Sequence, residues 1–153
     1  MSAEQRLRDL GIELPPVAKP VAAYVPAVKV GRWVYISGQL SFRDGKLEKT
    51  GKVGKDLTLE EAYREARQCA INCLAALKSI AGDLDKVEKI VKVTGYVASA
   101  PGFNDQPKVI NGASELLGEV FGEAGKHARA AVGVAELPLN APCEVELVAF
   151  LKE

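Results

Sequence analysis

The chain has 153 residues, of which 48% are hydrophobic, and its twenty basic side chains balance twenty acidic ones. That length makes one domain that buries roughly two-thirds of its unfolded surface, so no disulfide staple is required. A net charge of zero argues against a broad electrostatic footprint for nucleic acid or an anionic membrane, and no apolar run approaches the ~20 residues that span a bilayer.

Residues 1–19 read as an N-terminal surface arm, and residues 20–153 as a single domain. The arm starts as a short helix over 3–10 and runs into Pro15, Pro16 and Pro20, which a helix cannot pass. Residues 24–29 and 32–37 are strand-like and are separated by Val30-Gly31. The alternation in Trp33-Val34-Tyr35-Ile36 suits a half-buried hairpin strand, with Trp33 assigned to the core. Residues 39–42 are expected as a further short strand. Asp44-Gly45 is a tight-turn signal, and 48–56 is a polar loop.

Thr58-Leu59-Glu60-Glu61 is a capping box that opens the clearest helix. Ala62, Ala66, Cys69, Ala70, Cys73, Leu77 and Ile80 recur at helical spacing behind it, and Gly82 is a fitting terminator. Cys69 and Cys73 read as small buried hydrophobes. With Cys143 they make an odd count without Cys-x-x-Cys, and no cleavable leader is apparent, so a reducing, cytoplasmic setting is expected. The lone His127 gives no zinc-ligand spacing, so no metal is expected, and His127 itself reads as a strand-edge residue.

Residues 87–98 alternate as a strand, and a second helix spans 106–122 with Val109, Ile110, Ala113, Leu116, Leu117, Val120 and Phe121 on its apolar face. Two strands, 128–134 and 143–151, close the chain around a turn with Pro138, Asn140 and Pro142. The order ββ(β)αβαββ implies an α+β fold, a mixed sheet with two helices on one face. The uncovered face of so apolar a sheet is expected to meet another subunit.

Charges inside these last strands are costly unless paired or used on a ligand. Arg129 sits in the first of them, Glu144 and Glu146 in the second. Two readings are open: a structural ion pair across the sheet, or an arginine fork that clamps a ligand carboxylate beside an acid.

Several segments in order resemble the reactive-intermediate deaminase family, also called YjgF-like and formerly L-PSP endoribonucleases. They are Tyr24 ahead of the first strand-turn-strand unit, Ser37-Gly38-Gln39 after an apolar strand, and Phe103 through Ile110-Asn111 leading into the second helix. Arg129 with Val132-Gly133-Val134-Ala135-Glu136-Leu137-Pro138 and Glu144-Val145-Glu146 makes up the C-terminal signature. The resemblance covers about residues 20–151. A longer, divergent subgroup is indicated, with Ala131 where active members often carry cysteine or another small polar residue.

This resemblance implies a chorismate-mutase-like fold, a homotrimer with sites between subunits, and no cofactor. It implies hydrolysis of enamines and imines of the 2-aminoacrylate/2-iminopropanoate class to 2-oxo acids and ammonia, as metabolite damage control. Arg129 would grip the substrate carboxylate and Glu144 would activate water. Tyr24, Asn111 and backbone groups around Gly38 and Ala131 would line the pocket, with Glu146 supporting. Asn111 could equally brace its helix, and Tyr24 could be a plain strand aromatic. The alternatives are a non-catalytic binder of small carboxylates and, less favoured by one histidine and zero net charge, a ribonuclease. A chorismate mutase is weaker still, since a dianion wants more cations than Arg129.

Overall fold

The computed structural model describes residues 1–17 and 23–153; the expected boundary at 19/20 lies outside them. The capping box forms as the sequence predicts. Thr58 Oγ accepts from the Glu61 N–H and the Glu61 carboxylate accepts from the Thr58 N–H, satisfying two otherwise orphaned donors of helix α2 (Leu59–Ala81). Gly82 ends this helix at φ +86°, in the region that favours glycine. Ala62, Ala66, Cys69, Ala70, Cys73 and Leu77 are all fully buried beneath it. Burial pushes the Cys69 and Cys73 thiols up, so both stay protonated as core side chains.

Five strands form one sheet: β1 (Ala27–Val30), β2 (Trp33–Leu40), β3 (Val87–Ala98), β4 (Ala128–Val134) and β5 (Cys143–Leu151). Their order is β1-β2-β5-β3-β4, with β3 and β4 parallel and the other neighbours antiparallel. A parallel pair needs a crossover, and α3 (Gln106–Phe121) supplies it between β3 and β4. Helix α2 lies over β2 and β5, α3 lies over β3 and β4, and the helices pack on each other. The result is the expected α+β fold with both long helices on one face. Among the described residues no helix is long and apolar enough to cross a membrane.

Three expectations change. Residues 39–42 do not form a separate strand. β2 continues to Leu40 through a register shift between Ile36 and Gln39, which makes Ser37-Gly38 a bulge. Trp33 is not in the core: α2 covers Val34 and Ile36, so alternation sends Trp33, 42% exposed, to the other face against Phe150. The arm also starts docked. Helix α1 (Ala3–Asp9) buries Ala3 and Leu7, and Arg6 donates to the Val120 carbonyl at the end of α3.

The helix-free face carries Val28, Val30, Trp33, Tyr35 and Val132, all exposed. Val30 pairs with Trp33 and Trp33 with Phe150, while Val28 pairs with Tyr35 and Tyr35 with Val148. Aligned partners share a face, so these residues form a continuous apolar strip across three strands.

Candidate functional site

The sheet order decides the two readings of Arg129. β3 lies between β4 and β5, with Val93 in register with Arg129 and Tyr96 with Glu144. Two strand spacings and three residues of rise put the Cα atoms of Arg129 and Glu144 on the order of 14 Å apart. Their side chains also take opposite faces. The cross-sheet ion pair of Arg129 with Glu144 or Glu146 is therefore not made. β4 and β5 follow each other in the chain but are not neighbours, because β5 inserts between β2 and β3.

Arg129 points to the helix side of the edge strand. Its Nη1 donates to Asn111 Oδ1 at 2.8 Å and to Ser114 Oγ at 3.2 Å, both on α3. Asn111 and Ser114 are three apart and share a helix face. Both hydrogens of Nη1 are thus used. Among the described residues nothing accepts from Nε or Nη2, and no carboxylate pairs with Arg129. A half-buried guanidinium keeps one bidentate edge, the Nε/Nη2 fork, for a ligand. Ala131 lies two residues on, on the same face, packed against the core and in register with Gly95. Asn111 therefore braces Arg129, an outcome between the two sequence readings.

The second group gathers on the opposite face. Glu144 and Glu146 are half-buried, and the Tyr96 hydroxyl donates to Glu146. That bond, with burial, pushes the Tyr96 hydroxyl up to about 12. Burial first, and then the Glu146 charge, raise the Glu144 carboxyl above its ordinary value. A base poised nearer neutrality takes a proton more readily. The Glu144 carboxylate lies over the bulge, where a Cβ on Gly38 would come within 2.3 Å of Oε2. Ser37 staples the bulge to the entering chain, its Oγ donating to the Val25 carbonyl at 2.6 Å and its N–H to that of Pro26 at 2.9 Å. Tyr24, more than half exposed, lies just beyond that staple.

The bulge gives a direct test. Gly38→Ala is expected to displace the flexible Glu144 carboxylate without moving backbone. The imine hydrolysis that the family resemblance implies should fall about tenfold or more, equal to ~1.4 kcal/mol of transition-state stabilisation, while the melting temperature stays within about 2 °C. Unchanged kcat would remove Glu144 from the reaction.

The sequence reading placed Arg129, Glu144, Tyr24, Gly38, Asn111 and Ala131 in one pocket. Within one subunit the structure groups Arg129 with Asn111 and Glu144 with Gly38, and adds Ser114, His127 and Tyr96, which that reading missed. The Asn111/Ser114 spacing was a legible signal; the others required tertiary contacts. Hollows of about 450 Å³ occur beside Pro15–Val17, against α1 on one side and against Gln39, Phe42 and Asn72 on the other. Arg129 and Glu144 line neither. Among the described residues no cluster of three or more His, Cys, Asp or Glu could hold a metal ion.

The chain is similar to known proteins along most of its length. The family profile described as "YjgF/chorismate_mutase-like, putative endoribonuclease" matches residues 4–151. Protein TCP17 of Trypanosoma cruzi is 44% identical over 95% of this chain and 91% of its own. A 2-iminobutanoate/2-iminopropanoate deaminase of Dermatophagoides farinae is 30% identical over 92% of this chain and 95% of its own. The crystal structure of the Agrobacterium tumefaciens protein Atu1372, of unknown function, superposes with a TM-score of 0.91 at 46% identity, covering 98% of this chain and 92% of that one. With a profile match along nearly its whole length, the chain belongs to the YjgF/chorismate-mutase-like family.

Proposed function

We propose that this protein hydrolyses small 2-imino acids and their enamine tautomers, of the 2-aminoacrylate/2-iminopropanoate class, to 2-oxo acids and ammonia, without a cofactor. The observation that carries the reading is the half-buried Arg129, held by Nη1 with its Nε/Nη2 fork free of any anion among the described residues. An uncompensated guanidinium in that position calls for an anionic ligand, and a carboxylate matches the fork. One family member, the Dermatophagoides farinae protein, is a deaminase of this class.

Binding the carboxylate fixes the C=N carbon, which is already electrophilic. Glu144 takes a proton from the attacking water as its oxygen bonds to that carbon. The nitrogen gains a proton, and the carbinolamine collapses with loss of ammonia, leaving the 2-oxo acid. The atoms balance as imine plus water to oxo acid plus ammonia. Because Arg129 and Glu144 face opposite ways in one subunit, the complete site joins Arg129 of one copy to Glu144 of the next. The exposed apolar strip is the surface by which copies close into a homotrimer.

The test generates 2-aminoacrylate in place with a serine/threonine dehydratase and follows imine decay with and without the protein. Faster decay, lost in Arg129→Ala and Glu144→Ala, is the expected outcome. No acceleration across several 2-imino acids, with Arg129-dependent pyruvate binding retained, would overturn catalysis and leave a carboxylate-binding protein.

A further inference from the structure

Behind Arg129 runs a continuous hydrogen-bonded line. Arg129 Nη1 donates to Ser114 Oγ at 3.2 Å, Ser114 Oγ lies 2.9 Å from His127 Nε2, and His127 Nδ1 lies 2.6 Å from the Gly125 carbonyl oxygen. Proton placement along this line is set from its far end. A carbonyl only accepts, so His127 carries its hydrogen on Nδ1. In neutral imidazole Nε2 is then a bare acceptor, and the Ser114 hydroxyl turns its hydrogen toward it. What Ser114 offers to Arg129 is a lone pair. Asn111 Oδ1 takes the other Nη1 hydrogen at 2.8 Å, so the guanidinium plane is pinned by two acceptors.

The geometry points to His127 and Ser114 as positioning residues for Arg129: neutral His127 orders the Ser114 hydroxyl so that Arg129 presents its Nε/Nη2 edge to a carboxylate, and protonation of His127 releases that brace. The inference rests on the proposed carboxylate-holding role of Arg129. Once Nε2 carries a hydrogen, two cationic groups donate to one hydroxyl oxygen and the Ser114 hydrogen has to leave the line.

The charged groups around His127 agree on the direction. Arg129 faces it from β4, and Lys89 of β3 approaches from below with its Nζ on the Glu123 carbonyl. Lys92 is in register with Ala128, on the opposite face. Glu123 and Lys126, in the turn entering β4, pair with each other. Glu115 and Glu119 of α3 turn to Tyr63 and Arg67. Burial chiefly holds His127 below its ordinary value, with Arg129 and Lys89 pushing the same way against the Gly125 bond. The brace is thus intact at neutral pH and is lost as pH falls through a value below about 6.5.

A bare charge effect has the opposite sign, since a protonated His127 beside Arg129 would draw a carboxylate in. Pyruvate is the probe, titrated against the full-length protein between about pH 5 and 8. Affinity is expected to weaken about tenfold as pH falls through the His127 titration. His127→Gln, which keeps an acceptor for Ser114 but no titration, should lose the pH dependence. Ser114→Ala should weaken binding several-fold at high pH. Affinity that tightens on acidification, or an unchanged profile in His127→Gln, would overturn the brace.

The chain has a single histidine, so ring nitrogen shifts by NMR report its tautomer and titration without any ligand. An Nδ1–H tautomer is expected, with a titration midpoint that rises in Arg129→Met and a carbonyl-bonded Nδ1–H retained there. An Nε2–H tautomer would overturn the proposal. Should pyruvate fail to bind at every pH, the carboxylate-holding role of Arg129 falls. The tautomer and the response to Arg129→Met then still decide whether the line exists.

Discussion

Co-expressing subunits that carry Arg129→Ala with subunits that carry Glu144→Ala is expected to restore imine hydrolysis to about a quarter of the unmodified level, although neither variant alone is active. The expectation follows from the sheet. Arg129 lies on the helix side of β4 and Glu144 on the open side of β5, with β3 between them. No side-chain rotation in one subunit brings the two to a single small substrate. A closed ring built from one repeated heterologous contact offers the first group of each copy to the second group of its neighbour. At equal proportions, about one contact in four then keeps both native side chains. Each single loss should be severe. Removing a charge-assisted bidentate bond costs about 3 kcal/mol, or on the order of 10²-fold, and removing a general base costs about 10²- to 10⁴-fold. Sedimentation of each variant checks that assembly survives. Two assembled variants that stay inactive when mixed would place both groups in one subunit's site and defeat the inter-subunit reading.

The local chemistry of this fold is legible in its sequence. The ends of α2 follow from Thr58, Glu61 and Gly82, each of which satisfies or terminates backbone hydrogen bonding by itself. β3, β4 and β5 follow from alternation interrupted by turn residues. Pairing between distant strands is another matter. Nothing in residues 128–151 says that β5 enters between β2 and β3, and chain proximity favours the opposite expectation. That choice moved the acids away from Arg129. Alternation likewise separates Trp33 and Tyr35 from Val34 and Ile36 but does not say which pair a helix will cover. Here α2 covered the smaller pair and left the aromatics on the open face. The bulge at Ser37-Gly38 looked like a strand break because glycine ends strands as often as it bends them. His127 is the clearest loss. Its partner Ser114 lies 13 residues earlier, on α3, and only the packed helix shows that the two meet.

Packing between the helices carries the largest effect on stability, and two glycines of one helix are expected to respond with opposite signs. In α3, a Cβ at Gly112 would come within 2.1 Å of the Tyr63 carbonyl oxygen and 3.2 Å of the Arg67 nitrogen. Both are backbone atoms of α2, so no rotamer change relieves the clash and the helices have to separate. The buried Ala62, Ala66 and Ala70 on α2, with Ala113 and Leu116 on α3, would lose close packing together. Overpacking of this kind costs about 1–3 kcal/mol or more, against a gain of about 1 kcal/mol in helix propensity. Gly112→Ala should therefore destabilise by about 2 kcal/mol, lowering the melting temperature by roughly 4–8 °C. Pyruvate binding should weaken as well, because Asn111 and Ser114 flank Gly112 and would carry the Arg129 brace away with α3. Gly118 is the control. It is exposed on the same helix, and a Cβ there meets nothing within 4 Å. Gly118→Ala should thus gain about 0.4–1 kcal/mol from lost unfolded-state freedom alone. If thermal melts show both variants stabilised, the α2–α3 contact is not as close as the backbone geometry requires.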